Sequence, residues 1–241
     1  MMRRIAILLT NNDTSEFASH FLNDGDKVLN LLQPLRTEWQ YSVVPVTKGI
    51  LPSNVKAFDG YVITGSPASV NDESLPWLEP LLAFIRAVHA ARQPLIGLCF
   101  GHQAVARALG GQVARTPAGW GLGTVRTTWH AQSPWMTPPQ ASTNLMAAHN
   151  EQVICMPEGA ECIGGSDFCP IGSMQISQHI WTTQYHPEMP LVFMQALLGY
   201  LADKLDAATL ALAHASLANA ADVSLFGQWM VQFFEQTRET T

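Results

Sequence analysis

Hydrophobic residues along this chain fall into two rhythms, and the switches between them mark its elements. Residues 5–9 (IAILL) form a short apolar run ending in Asn11-Asn12, which predicts a buried strand. From 14 to 35 the spacing turns helical, with Phe17, Phe21, Val28, Leu29 and Leu32 on one side. Asn23-Asp24-Gly25-Asp26 is expected to interrupt that helix as a loop. Residues 39–46 alternate and are rich in β-branched side chains, which predicts a second strand. A third, 59–63 (DGYVI), hands the chain to Thr64-Gly65-Ser66-Pro67. A helix is predicted over 77–91, with Pro76 at its start.

The second half keeps the same alternation. Residues 95–98 (LIGL) read as a strand, and then Ala104, Val105, Ala108 and Leu109 recur at helical spacing until Gly110-Gly111 stops them. Residues 112–129 are β-like and interrupted by glycine, 134–139 are a loop, and 153–164 hold one or two short strands. A strand over 180–183 and a helix over 190–203 follow. Strands alternating with helices predict an α/β fold around a covered, mostly parallel sheet. From Lys204 the composition shifts to alanine and leucine until about Ala220, and Asp222 is expected to cap a helix over 223–236. Phe226, Trp229, Met230 and Phe233 share one face of that helix, which is expected to pack back on the domain. The expected division is a domain over 1–200 and a helical C-terminal extension over 201–241.

Candidate chemistry sits at the turn between the strand 95–98 and the helix that follows it. Cys99 occupies that turn with Gly97 and Gly101 two residues to either side. Nucleophiles on so sharp a turn take a strained backbone, and glycine neighbours let strand and helix pack closely. The helix N-terminus aims free N–H groups at the sulfur and favours thiolate. A buried core cysteine is the competing reading. The stretch Gln184–Glu188 (QYHPE) argues against it, because Pro187 pushes His186 toward extended geometry. Two residues apart on an extended segment, His186 and Glu188 project to the same side, which supplies a base for the thiol and a carboxylate to orient it.

GLCFGHQ at 97–103 and QYHPE at 184–188 resemble the two signature motifs of class I (triad-type) glutamine amidotransferases. ITGSPASV at 63–70 is similar to the oxyanion-loop segment of their GMP-synthetase-like branch, and HNEQVICMPEGAECIGGSD at 149–167 to the segment that closes over substrate. The resemblance runs in order over about residues 3–198, and extends to single-domain γ-glutamyl peptidases. It implies a flavodoxin-like three-layer sandwich with a nucleophile elbow, and a Cys99–His186–Glu188 triad. Backbone N–H groups of Phe100 and Ser66 would form the oxyanion hole. Substrate contacts are implied at Gly65, Ser66, Pro67, Gln103, Asn150 and Glu151, with His102 and His149 in supporting or structural roles.

No synthetase or ATP-binding segment follows Glu188 in this sequence, which leaves three readings. One is a glutaminase that passes ammonia to a separate acceptor or synthetase. Another is a self-sufficient γ-glutamyl peptidase or hydrolase. The third is a non-enzymatic, redox-sensing relative, against which the His186/Glu188 pair counts. No cofactor or metal is called for. Cys155, Cys162 and Cys169 lack the close pair spacing of a zinc site and read as structural thiols.

Composition trims the picture further. At 241 residues, 47% of them hydrophobic, the chain can bury a large core. A net charge of −6 argues against a nucleic-acid or anionic-membrane surface. The start, MMRRIAILLTNN, has too short an apolar run for a signal peptide, and no other run approaches the ~20 apolar residues of a membrane span. A cytoplasmic protein is expected.

Overall fold

The computed structural model describes residues 2–237. Residues 238–241 of the expected extension, and Met1, lie outside the described residues. The strands β1 (Arg4–Leu9), β2 (Gln40–Pro45), β3 (Gly60–Ile63) and β4 (Leu95–Leu98) join a nine-stranded sheet with β6 (Gly121–Trp129), β7 (Ser142–His149), β9 (Ala160–Gly165), β10 (Ser173–Ile176) and β11 (Ile180–Thr183). Their order is β2-β1-β3-β4-β11-β10-β9-β6-β7, and β5 (Gln112–Arg115) pairs separately with β8 (Glu151–Cys155).

The first five strands in that order are all parallel. They carry the flavodoxin-like arrangement, in which ligands bind beyond the carboxyl ends of the strands. The other four run antiparallel to their neighbours and extend the sheet on one side.

Period-2 alternation decides which side chain meets which layer. Ala6, Leu8, Tyr61, Ile63 and Leu95 face α3 (Leu78–Ala90) and α4 (Phe100–Ala108) on one side of the sheet. Ile5, Ile7, Val62, Ile96, Leu98 and Trp181 face α2 (Asp24–Leu32) and α7 (Val223–Gln236) on the other. The inner strands β1, β3 and β4 are buried on both faces, which explains their short apolar runs, whereas the edge strand β2 alternates. A smaller cluster lies under α5 (Leu191–Leu201) and α6 (Ala207–Ser216), centred on Met146, Met189, Met194 and Leu198. Helix α7 lays Phe226, Trp229, Phe233 and Phe234 against the sheet with no exposed surface on any of them. At about 1.5–3 kcal/mol for each fully buried large apolar side chain, this helix is part of the core.

Several local expectations are corrected. Asn23–Asp26 is a helix start rather than a loop: the Asn23 side chain accepts from Asp26 N at 3.0 Å, and Asp24 and Asp26 sit in the positive first turn of α2. Only the four-residue α1 (Glu16–Ser19) precedes that break. Asp222 stands at the N-cap position of α7, but its side chain makes no cap bond there. Its carboxylate accepts from Asn144 N at 2.8 Å while its own N–H donates to Asn144 O at 2.8 Å, so it pins α7 to β7. Among the described residues no helix is long and apolar enough to cross a membrane.

Candidate active site

Cys99 leaves β4 at φ 49°, ψ −100°, a conformation that non-glycine residues rarely adopt and that costs of order 1–3 kcal/mol. Surrounding contacts hold it there. Its N–H donates to Thr183 O at 2.8 Å, carrying the β4–β11 pairing one residue past the strand. A Cβ on Gly97 would lie 2.6 Å from Gly101 O, and one on Gly101 would lie 2.6 Å from Ile63 O. Both glycines are therefore places where backbone meets backbone, and neither needs an unusual φ. Close packing of strand on helix leaves the sulfur at the N-terminus of α4, where unpaired N–H groups and the helix dipole favour an anion.

His186 follows β11 and is anchored by its own N–H, which donates to Met146 O at 2.8 Å. Its Nδ1 lies 2.8 Å from Glu188 Oε1, and the Glu188 side chain has no exposed surface. A carboxylate accepts, so Nδ1 donates, which leaves Nε2 as the ring nitrogen able to take or give a proton. Burial by itself would keep the ring neutral. The Cys99 and Glu188 charges and hydrogen bonds outweigh it and hold the His186 pKa well above the usual value. The structure thus brings Cys99, His186 and Glu188 together beyond the ends of adjacent strands.

A cavity of about 290 Å³ opens over the sulfur, lined by Ser66, Pro67, Ser69, Gln103, Asn150 and Glu151 among others. Gly65 lies against Cys99 and His186, outside the cavity lining: a Cβ there would sit 3.7 Å from Cys99 Cβ. Phe100, the first residue of α4, is buried, and its N–H is one of those a helix start leaves without an intrahelical acceptor. Gln103 also faces inward, with its amide nitrogen donating to Glu151 O at 2.8 Å and Gln184 Oε1 at 3.1 Å. With both hydrogens engaged, what it can still offer a ligand is its carbonyl oxygen. The Glu151 carboxylate accepts from Ser69 Oγ at 2.8 Å and lies 4.0 Å from Arg115 Nε.

Two further histidines support these elements. His102 is fully buried between Thr182 Oγ1 at 2.8 Å and Ile171 O at 3.1 Å, and burial pushes its pKa down to about 3. It is a neutral clamp between α4 and β11. His149 reaches Glu151 O with Nδ1 at 3.1 Å, and burial pushes it down to about 4. Neither has the carboxylate partner that distinguishes His186.

Arg115, Trp120, Ser69 and Gln184 escaped the sequence reading. The first two share the cavity because β5 pairs with β8 and the loop after β5 turns back over it, a long-range pairing without a local signature. Gln184 lay inside the QYHPE motif and could have been found there. Among the described residues no cluster of three or more His, Cys, Asp or Glu is arranged to hold a metal ion.

Comparison with known proteins places the chain in a family. The family model described as "Glutamine amidotransferase class-I" matches residues 26–194. A Saccharomyces cerevisiae protein, named only as a candidate glutamine amidotransferase, is 29% identical over 200 residues, covering 78% of this chain and 79% of its own. Gamma-glutamyl peptidase 2 of Arabidopsis thaliana is 29% identical over 154 residues, 62% of each chain. A glutamine-hydrolyzing GMP synthase of Clostridium perfringens is 28% identical over 148 residues, 61% of this chain but 28% of its own. The crystal structure of a glutamine amidotransferase from Thermotoga maritima has the same fold, with a TM-score of 0.76 at 15% identity, covering 98% of this chain and 97% of that one.

Proposed function

Because the chain belongs to the class-I glutamine amidotransferase family, we propose that it hydrolyses the side-chain amide of L-glutamine through a γ-glutamyl thioester on Cys99. The observation that carries this reading is the Cys99–His186–Glu188 constellation, with its 2.8 Å imidazole–carboxylate bond and with Cys99 lining a 290 Å³ cavity.

The steps follow from the groups present. The Cys99 sulfur adds to the δ-carbonyl carbon, and the carbonyl π electrons move to oxygen. On this reading the backbone N–H groups of Ser66 and of Phe100, the first residue of α4, hold that oxyanion. His186 delivers a proton to the amide nitrogen, the C–N bond breaks, and ammonia leaves a thioester. Water then adds to the thioester carbon as His186 takes its proton, and glutamate and the thiolate are regenerated. Glu188 keeps the ring in the right tautomer and stabilises the imidazolium throughout. On this reading ammonia passes to a separate acceptor or synthetase in the cytoplasm.

A second reading, a γ-glutamyl peptidase acting on γ-glutamyl compounds, is favoured by the similarity to the Arabidopsis peptidases. It uses the same acyl-enzyme with an amine in place of ammonia. The substrate contacts proposed at Gly65, Ser66, Pro67, Gln103, Asn150 and Glu151 would hold the free α-amino and α-carboxyl groups common to both substrates. Buried polar sites of this kind reject analogues that leave their groups unpaired, often by ~10⁴ or more.

Steady-state assays of the purified chain decide between them. Glutamine and γ-glutamyl dipeptides should be cleaved, and α-glutamyl amides should not. Comparable turnover of α-linked substrates would overturn the γ-glutamyl reading. Strong preference for dipeptides over glutamine would replace the first reading with the second.

A further inference from the structure

Gln184, two residues before His186, has no exposed surface, and both ends of its amide are engaged. Oε1 accepts from Gln103 Nε2 at 3.1 Å, and Nε2 donates to Cys99 Sγ at 3.5 Å, an ordinary length for a sulfur acceptor. The orientation of this amide is determined by its neighbour. Gln103 Nε2 spends its other hydrogen on Glu151 O at 2.8 Å, a carbonyl that His149 Nδ1 holds a second time at 3.1 Å. Gln103 therefore presents only a donor to Gln184. A reversed Gln184 would set N–H against N–H, and its carbonyl against the sulfur.

Burying a primary amide costs free energy unless each end is paired, and a leucine of similar shape would fill the same space without that demand. An N–H aimed at sulfur is weak when the sulfur is a thiol. It strengthens when the sulfur carries charge, because hydrogen bonds to ionised acceptors are roughly twice as strong as neutral ones.

We propose that Gln184 is a catalytic residue of this site: its amide N–H holds Cys99 as thiolate, in an orientation enforced by Gln103 and, through it, by the Glu151 carbonyl on the cavity wall. The role deepens the function proposed above and rests on Cys99 being the nucleophile. No covalent change is required of Gln184. It biases the resting proton from sulfur toward His186, and its bond slackens when the sulfur loses its charge to the substrate carbon.

The test is the pH dependence of Cys99 alkylation by iodoacetamide in the full chain, followed on the Cys99 peptide by mass spectrometry. Gln184→Leu removes the donor, and Gln184→Glu keeps the shape but sets beside the sulfur a carboxyl group whose charge repels the thiolate. The alkylation midpoint should rise by about one pH unit in Gln184→Leu, the usual weight of a hydrogen bond to a charged group, and further in Gln184→Glu. The kcat for glutamine should fall at least ~10-fold in both, with KM little changed. Gln103→Leu, which frees the Gln184 amide to turn, should raise the midpoint as well, and it keeps the test decisive if a Gln184 variant fails to fold. A purely structural role predicts the opposite order, with the isosteric Gln184→Glu close to wild type. That order, or unchanged midpoints, would overturn the inference. Full turnover by Cys99→Ala would instead overturn the nucleophile reading on which it stands.

Discussion

Gly65 is a glycine because His186 occupies the space its side chain would need: a Cβ there would lie 2.7 Å from His186 Cε1 and 3.4 Å from Nδ1. Glu188 holds the imidazole through Nδ1, so moving the ring away from Gly65 would strain that 2.8 Å bond. Gly65→Ala is therefore expected to displace the ring from Cys99 and lower kcat by at least ~10²-fold, in line with the cost of small misplacements of catalytic groups. The melting temperature should change little by comparison. Near-wild-type kcat in a folded Gly65→Ala protein would show that the ring tolerates the intrusion.

Gly97→Ala is expected to do the reverse. Its Cβ would meet Gly101 O at 2.6 Å and His102 N at 3.0 Å, both backbone atoms of α4 that cannot swing aside. Overpacking of this kind costs about 1–3 kcal/mol, and the loss should appear first in thermal or denaturant unfolding. An unchanged unfolding midpoint would contradict the packing described here.

The catalytic roles can be ranked by rate. Cys99→Ala should abolish hydrolysis. His186→Ala should cost ~10²–10⁴-fold, the usual weight of a general acid–base group, and Glu188→Gln less, since it spoils orientation rather than proton transfer. His149→Ala should act mainly through binding. A kcat loss in His149→Ala equal to that of His186→Ala, with normal KM, would reassign the base. Labelling experiments need Cys155 replaced first, because it is exposed, whereas burial pushes the Cys169 thiol up to about 12.

Stability should fall on the acid side of pH 6.5. His102 and His149 are neutral in the fold, with pKa values near 3 and 4, but ordinary once unfolded. Between those values and 6.5 the unfolded chain binds more protons, so each histidine contributes a slope of up to ~1.4 kcal/mol per pH unit, lost as the pH falls. His186 has the opposite sign. Its raised pKa favours the fold at low pH, and that contribution is lost as the pH climbs from about 6.5 through the folded value. Melting curves from pH 4 to 7 should therefore show Tm rising with pH, and a flat profile would count against neutral burial of His102 and His149.

What could be read from the residues in order was the part of the fold that is locally encoded. The inner strands β1, β3 and β4 were legible because burial on both faces leaves short apolar runs, the edge strand β2 because it alternates, and the elbow because two glycines bracket a cysteine where strand gives way to helix. β10 was missed: its four residues, Ser173–Ile176, are held by antiparallel partners on both sides rather than by any period of their own. β7 was missed for a related reason, since Ser142, Thr143 and Asn144 dilute its apolar pattern. Asn23–Asp26 reads as a loop or as a helix start with equal ease, and the Asn23 cap bond decides it. Of the candidate site, Cys99, His186 and Glu188 were legible as parts of two motifs that the fold brings together. The Gln103–Gln184–Cys99 chain was not, because its links join positions 81 and 85 residues apart.

The aromatic helix α7 has a consequence for how the protein comes into being. Trp181, on the strand that leads to His186, is covered by Phe226 and Phe233, which leave the ribosome after every residue of the triad. Until they arrive, the nascent sheet presents an open apolar face to the cell, the kind of surface that invites aggregation. Vectorial synthesis thus delays closure of this half of the molecule until α7 is available, and a stalled or clipped chain lacking that helix would hold Cys99, His186 and Glu188 yet be a client for chaperones.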